Sequence, residues 1–288
     1  MTQLPMVGRV CLVTGASSGI GRETAIGLAR LGATLLIHGR DPERSASALA
    51  EVRAASNGGS VELVTADLSS QAEVRRLAAE VLERHDSLHV LVNNAGVLRM
   101  RRTLTVDGLE MTFALNHLAY FLLTQLLLDR LRESAPARIV NVSSGAHTGA
   151  RLDFDDLQNA QRFRSMGVYG QSKLANVLFT YELARRLEES GVTANCLHPG
   201  FVATRFGSGN PGLIGRAMGL GTRLMRPFAR SPERGARTSI HLATSPEVDQ
   251  VSGRYFVNSK ATPSSPASYD EESARRLWEA SEQLVAPG

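Results

Sequence analysis

Hydrophobic positions along this chain fall into two kinds of run that alternate from end to end. Short, almost unbroken apolar stretches stand at 10–13, 34–37, 61–64, 90–92, 139–142, 192–197 and 255–257. Runs of that length suit strands buried on both faces, as in a parallel sheet. Between them lie longer amphipathic segments at 20–31, 42–55, 70–85, 106–132, 169–189 and 232–244, which predict helices. Several carry start signals. Asp41-Pro42-Glu43 and Ser231-Pro232-Glu233 each set a capping residue before a proline at the first helical position. Ser70 with Glu73 has the spacing of a capping box. Gly32 and Gly191 stand past two helix ends, where a left-handed residue is wanted. Strands alternating with helices predict an α/β fold, a doubly wound parallel sheet of about seven strands flanked by helices.

No Pro/Ser/Gly-rich linker interrupts the alternation before Ala261, so residues 1–260 read as one domain. The stretch 261–268 (ATPSSPAS) does read as a linker. It leads to a tail over 261–288 whose short amphipathic helix, at 270–284, contains Trp278.

Composition adds a few exclusions. Hydrophobic residues at 43% and charged residues at 21% predict a packed core. The net charge of +4 comes from scattered arginines with no basic block, so an anionic cofactor fits better than nucleic acid. Cys11 and Cys196 offer neither metal spacing nor a disulfide framework; no metal is expected. The first residues lack the charged and apolar regions of a signal peptide, which makes a cytoplasmic location the expectation. The apolar segment 113–128 is broken by Asn116, His117, Tyr120 and Gln125, too short and polar for a membrane span. It is expected to pack on the sheet or on a twin helix in a dimer.

Candidate chemistry gathers at the predicted strand ends. After the first strand comes Thr14-Gly15-Ala16-Ser17-Ser18-Gly19-Ile20-Gly21. Gly15 permits a tight turn, Gly19 close approach of a pyrophosphate, and Gly21 close packing of helix on strand. The helix N-terminus then presents free N–H groups to the anion. At the end of the second strand, His38-Gly39-Arg40-Asp41 sets glycine where an NAD site usually has an acid. Arg40 suits a 2′-phosphate, which favours NADP(H). Assigning Asp41 to the ribose would favour NAD(H), but Asp41-Pro42 is better explained as a helix cap.

Tyr169 and Lys173, four residues apart, share one helical face. A phenol near pKa ~10 is a poor acid or base at neutral pH, and a neighbouring ammonium lowers that value. Upstream, Asn93-Asn94-Ala95-Gly96 and the strand leading to Ser143-Ser144 end at the same side of such a sheet. Together with Asp67-Leu68 and Pro199-Gly200, these motifs make the chain resemble the short-chain dehydrogenase/reductase family over residues 7–260. Within it, 138–147 (RIVNVSSGAH), 171–187 and 198–206 are most similar to the retinol-dehydrogenase-like branch.

The resemblance implies a single-domain Rossmann-type fold and hydride transfer between nicotinamide and an alcohol or carbonyl compound. It makes Tyr169 the general acid or base. Lys173 adjusts the phenol and binds the nicotinamide ribose, Ser144 (rather than Ser143) holds the substrate oxygen, and Asn116 carries a water behind Lys173. It sets Asp67 and Leu68 at the adenine, Asn94, Ala95 and Gly96 along the adenosine and ribose, and Pro199, Val202 and Thr204 at the nicotinamide. Asn93 and Asn94 also have a plainer reading, as ties between loops. A mobile lid over a small lipophilic substrate is implied for 206–230, which could instead lie on an anionic membrane; the glycines there favour the lid. Homodimers or homotetramers are implied too. Gly145 suggests a widened pocket beside the serines, and Arg99–Arg102 with 153–156 suggest solvated rims. His117, His147 and His198 lack ligand spacing and receive no catalytic role. The competing function is a catalytically silent NADP-binding sensor or scaffold.

Overall fold

The computed structural model describes residues 4–202 and 229–286. Its chain order is β1 (Val10–Val13), α1 (Gly19–Arg30), β2 (Thr34–Gly39), α2 (Pro42–Ala55), β3 (Val61–Thr65), α3 (Gln71–Arg84) and β4 (Val90–Asn93). Then follow α4 (Met111–Glu133), β5 (Ala137–Val142), α5 (Ser165–Arg186) and β6 (Val192–His198). After residues outside the description come α6 (Pro232–Thr244), β7 (Tyr255–Val257), β8 (Lys260–Ala261) and α7 (Glu271–Val285). The strands form one sheet in the order β3-β2-β1-β4-β5-β6-β7-β8, parallel except for the last pair. The extra strand beyond the expected seven is a two-residue return on β7, too short for any hydrophobic pattern to mark.

Burial explains why the strands were readable. All four residues of β1 and of β4 are buried, as a central strand covered on both faces requires. Caps set most helix starts as expected: Asp41 and Ser231 accept from the N–H groups of Arg44 and Arg234. Only half of the expected capping box forms. Ser70 accepts from Glu73 N–H, but the Glu73 carboxylate turns to Arg76 instead of reaching back (3.0 Å).

Two boundaries differ from the periodicity. α4 starts at Met111, not 106, because Thr105 to Gly108 form a turn and buried Glu110 caps the helix, accepting from Thr112 and Phe113 N–H. α4 then contains a π-helical turn at Ala114–Leu118. α5 begins a turn early at Ser165, which puts Tyr169 inside the helix instead of at its start.

The tail is not set apart by its linker-like sequence. Ser265 and Ser268 are buried, and α7 lays Ala274, Leu277, Trp278, Ser281 and Val285 onto the main core. Trp278 meets Phe121 of α4 (ring centroids 5.0 Å) and Phe179 of α5 (5.8 Å). Segment 113–128 packs on the sheet, one of the two packings expected for it, with α5 and α7 alongside. α4 is long and apolar enough to cross a membrane, and 78% of its apolar window is buried here as a core helix.

Candidate active site

The strand order reverses between β1 and β4, and the crevice at their carboxyl ends opens as a cavity of about 590 Å³. One wall is the glycine turn: Gly15, Ser17, Ser18, Gly19, Ile20 and Gly21 all line it. Gly15 has φ 66°, and a Cβ there would lie 2.8 Å from Ala95 Cα, so the turn closes on the β4 loop only with glycine. Thr14 fastens that junction. Its hydroxyl donates to Val92 O (3.2 Å) and accepts from the N–H of Asn94 (2.8 Å) and Ala95 (3.1 Å). Asn94, Ala95 and Gly96 line the cavity, yet the Asn94 amide itself donates to Thr14 O (2.8 Å), the loop-tying role. Asn93 likewise donates to Thr124 Oγ1 and Asn141 Oδ1.

The N-cap of α1, Ser18, is extended and makes no side-chain cap bond, whereas Asp41, Ser70, Ser231 and Asp270 cap α2, α3, α6 and α7. The first N–H groups of α1 are thus left facing the cavity, as an anion site needs. Behind the turn sits His38, to which sequence reasoning gave no role. Its Nδ1 accepts from Gly15 N–H (3.2 Å), so Nε2 carries the proton and donates to Ala66 O (3.0 Å). Burial holds its pKa below the ordinary value, and the neutral ring pins three strand ends together. Its position one residue before Gly39 was the available clue.

At the far end of the cavity a side chain on Gly39 would overlap Ser45 Oγ, so no acid fits there without rearrangement. Arg40, Asp67 and Leu68 line this end. Arg40 lies 3.6 Å from the Asp67 carboxylate, which also accepts from Ser69 N–H (3.0 Å) and Oγ (2.7 Å). Arg44 and Arg99 line the same cavity. Arg99 is half-buried and faces the cavity. Burial, and then the like charge of Arg40, hold its pKa below the usual guanidinium value.

Ser144, Tyr169 and Lys173 line the opposite end. Tyr169 and Lys173 stand one turn apart on α5, with the ammonium 5.9 Å from the phenol ring centroid. Ser144, just past the end of β5, lines the cavity with the Tyr169 phenol and accepts from Ala146 N–H (3.2 Å). The neighbouring serine is committed elsewhere: buried Ser143 donates to Lys173 O (2.8 Å). Burial pushes the Tyr169 phenol up to about 12, partly opposed by Ser144, and pulls Lys173 down to about 7. Lys173 is buried and Tyr169 half-buried, and the ammonium donates to Val142 O (2.9 Å).

Asn116 is fully buried in the π turn and does not line the cavity. Its Oδ1 accepts from Val97 N–H (2.7 Å), while Nδ2 donates to Val97 O (3.0 Å) and Ser172 Oγ (3.0 Å). It clamps the β4 loop to α5. Gly145 does not widen the pocket, because a Cβ there would meet the His198 ring at 3.3 Å. Pro199 and Val202 line the cavity; Thr204 and the lid through 228 lie outside the described residues.

Residues 9–210 match the family described as short chain dehydrogenase. The chain is 44% identical to human retinol dehydrogenase 13 over 96% of its length and 85% of the relative's. To mouse retinol dehydrogenase 12 it is 43% identical, over 99% and 88%. The chain is a short-chain dehydrogenase. It belongs to the retinol-dehydrogenase-like branch and is an oxidoreductase of alcohol and carbonyl groups. Two solved structures superpose on it. An uncharacterised protein from Mycobacterium paratuberculosis has TM-score 0.77 and 34% identity, covering 98% of this chain and 95% of that one. The Pseudomonas aeruginosa RhlG/NADP complex has TM-score 0.69 and 30% identity, covering 89% and 97%.

Proposed function

We propose that this short-chain dehydrogenase uses NADP(H) to interconvert an alcohol and an aldehyde or ketone on a small lipophilic, retinoid- or steroid-like substrate. The observation that carries the reading is that Ser144, Tyr169 and Lys173 line one cavity with the glycine turn, Lys173 one helical turn from Tyr169. The dinucleotide would lie along that cavity, its pyrophosphate at Gly19, Ile20 and the open N-terminus of α1, its nicotinamide between Pro199, Val202 and Tyr169. The cofactor supplies or takes the hydride. In reduction, the Tyr169 phenol gives its proton to the carbonyl oxygen while Ser144 donates a hydrogen bond to that oxygen, stabilising the developing negative charge. In oxidation Tyr169 takes the proton back. Lys173 holds a proton beside the phenol and faces the ribose, and Asn116 keeps the Val97 loop docked against it.

Three features support NADP(H) over NAD(H). Gly39 stands where a ribose-binding acid would be, Arg40 with Arg44 and Arg99 gives that end a positive field, and RhlG was solved with NADP. Exposed Met166 and Phe201 at the cavity's edge, with Leu98 and Leu115 inside it, support a lipophilic substrate. The retinol dehydrogenases among its relatives support a retinoid-like one. A homo-oligomer would use a face other than the one α7 covers.

The test is oxidation of NADPH and of NADH against a panel of aldehydes and ketones that includes retinal and ketosteroids. Turnover with NADPH on apolar carbonyls is expected. Tight dinucleotide binding without turnover on any of them would replace the reading with the silent sensor.

A further inference from the structure

Among the described residues, the C-terminal segment reaches the catalytic groups at two separate points, each through a buried neutral histidine. The first runs through His147. Its Nε2 accepts from Ser265 N–H (3.1 Å), so the proton is on Nδ1, which donates to the carbonyl of Ser144 (2.7 Å). His147 is 2% exposed, packed beside Tyr255 (4.9 Å between centroids). The second runs through His117 in the π turn of α4, the residue after Asn116. Ser281 of α7 sends its one hydroxyl proton to Leu277 O (2.7 Å), so at 2.9 Å it accepts from His117 Nε2. Ser281 and His117 are 0% and 1% exposed, and the ring is wedged among Phe113, Phe121 and Phe179.

The segment is fixed where it makes these contacts. Ser268 donates to Ser265 O (2.6 Å), Tyr181 shares a hydrogen bond with Ser264 (2.7 Å), and Gln71 donates to Leu284 O (2.7 Å). Neither histidine lines the cavity. Each instead holds backbone beside a group that acts there. One sets the carbonyl side of Ser144; the other sets the turn from which Asn116 clamps Val97.

We propose that residues 264–285 are a strap that positions Ser144 and Asn116, with His147 and His117 as positioning residues. The strap and the site would then be coupled: loosening α7 or Ser265 lets the serine and the Val97 loop drift from the phenol without removing any group that touches substrate. A sub-ångström drift of this kind acts on turnover, because the hydrogen bond of Ser144 matters most when charge develops on the substrate oxygen. This rests on the proposed function for its kinetic consequence but not for its structural one.

The test uses the full chain with Ser281→Ala, His147→Phe and His117→Phe, and the hydrogen-bonding counterparts His147→Gln and His117→Gln. Amide hydrogen exchange read by mass spectrometry reports on the strap independently of activity. Ser281→Ala and His117→Phe should speed exchange in the peptide over 94–98, where Val97 N–H is held by Asn116; His147→Phe should speed it over 144–148. On a carbonyl that the unaltered enzyme reduces, kcat should fall about tenfold with KM for NADPH within about twofold, and the Gln variants should recover part of it. Exchange changes confined to 264–285 in variants that fold would overturn the strap. An unaltered enzyme that turns over nothing would count against the proposed function instead, leaving the exchange result to decide this one. Should His117→Phe not fold, Ser281→Ala carries the same arm, since the lost acceptor lies on α7.

Discussion

At the scale of single residues, the site turns on which hydroxyl and which charge face the cavity. Tyr169→Phe removes the proton that moves and leaves the ring in place. Turnover should fall by ~10² or more while NADPH affinity, read by fluorescence titration, stays near its original value; a Phe variant with near-normal kcat would contradict the acid role. Arg40 is a different case, because it already has an anionic neighbour in Asp67 at 3.6 Å. Both side chains are well exposed, so that pair is weak and readily gives way to a phosphate. Arg40→Asp should shift the NADPH-over-NADH ratio in kcat/KM by about ten- to hundredfold towards NADH, the worth of one charge-assisted contact. An unchanged ratio would move the preference to Arg44 or Arg99. Residue identity was enough to nominate Tyr169, Lys173 and Arg40. It could not show that Ser143 is tied to Lys173 O, that Asn116 serves Val97, or that His38 anchors Gly15, since each bond joins segments far apart in the chain.

At the scale of elements, α7 does more than end the chain. Its apolar face follows helical spacing, and Trp278 is 5% exposed between two phenylalanines from α4 and α5, with the Arg186 guanidinium 4.1 Å over its ring. Trp278→Ala should destabilise the fold by ~3–5 kcal/mol, the cost of a large buried aromatic replaced by a cavity. The midpoint of urea unfolding measures it, and a change below about 1 kcal/mol would mean that α7 is only loosely attached. The π turn in α4 is the other element with local consequences. It accommodates Asn116 and His117 on successive residues, one bonded to Val97 and Ser172, the other to α7. Periodicity alone cannot register such a turn: one widened loop of helix barely changes the spacing of apolar residues.

At the scale of the whole molecule, neutral histidines act as fasteners between distant segments, which gives the fold a pH dependence. Burial lowers His38, His147 and His198, and takes His117 from 6.5 to about 3, with Lys173 adding a smaller lowering. A folded imidazole that titrates below the unfolded one is neutral in both states above 6.5, so the stability it supports is complete there. Below that pH the unfolded chain binds the proton first, and stability is lost as the pH falls towards the folded values. Tm should therefore drop steadily between about pH 7 and pH 5, a range in which carboxylates are mostly still charged. A flat Tm across it would mean that these rings accept protons without losing their partners.

The sequence by itself determined the doubly wound sheet, the order of its strands and helices, and the strand ends at which chemistry gathers. Those features follow from local periodicity, caps and turns, which act over a few residues. Tertiary structure alone decided that the tail belongs to the core, that Gly145 makes room for His198 and not for a ligand, and that burial pushes the Tyr169 phenol up. Those outcomes depend on what a side chain meets across the fold and how much water it loses there, and neither is written in the spacing of residues along the chain.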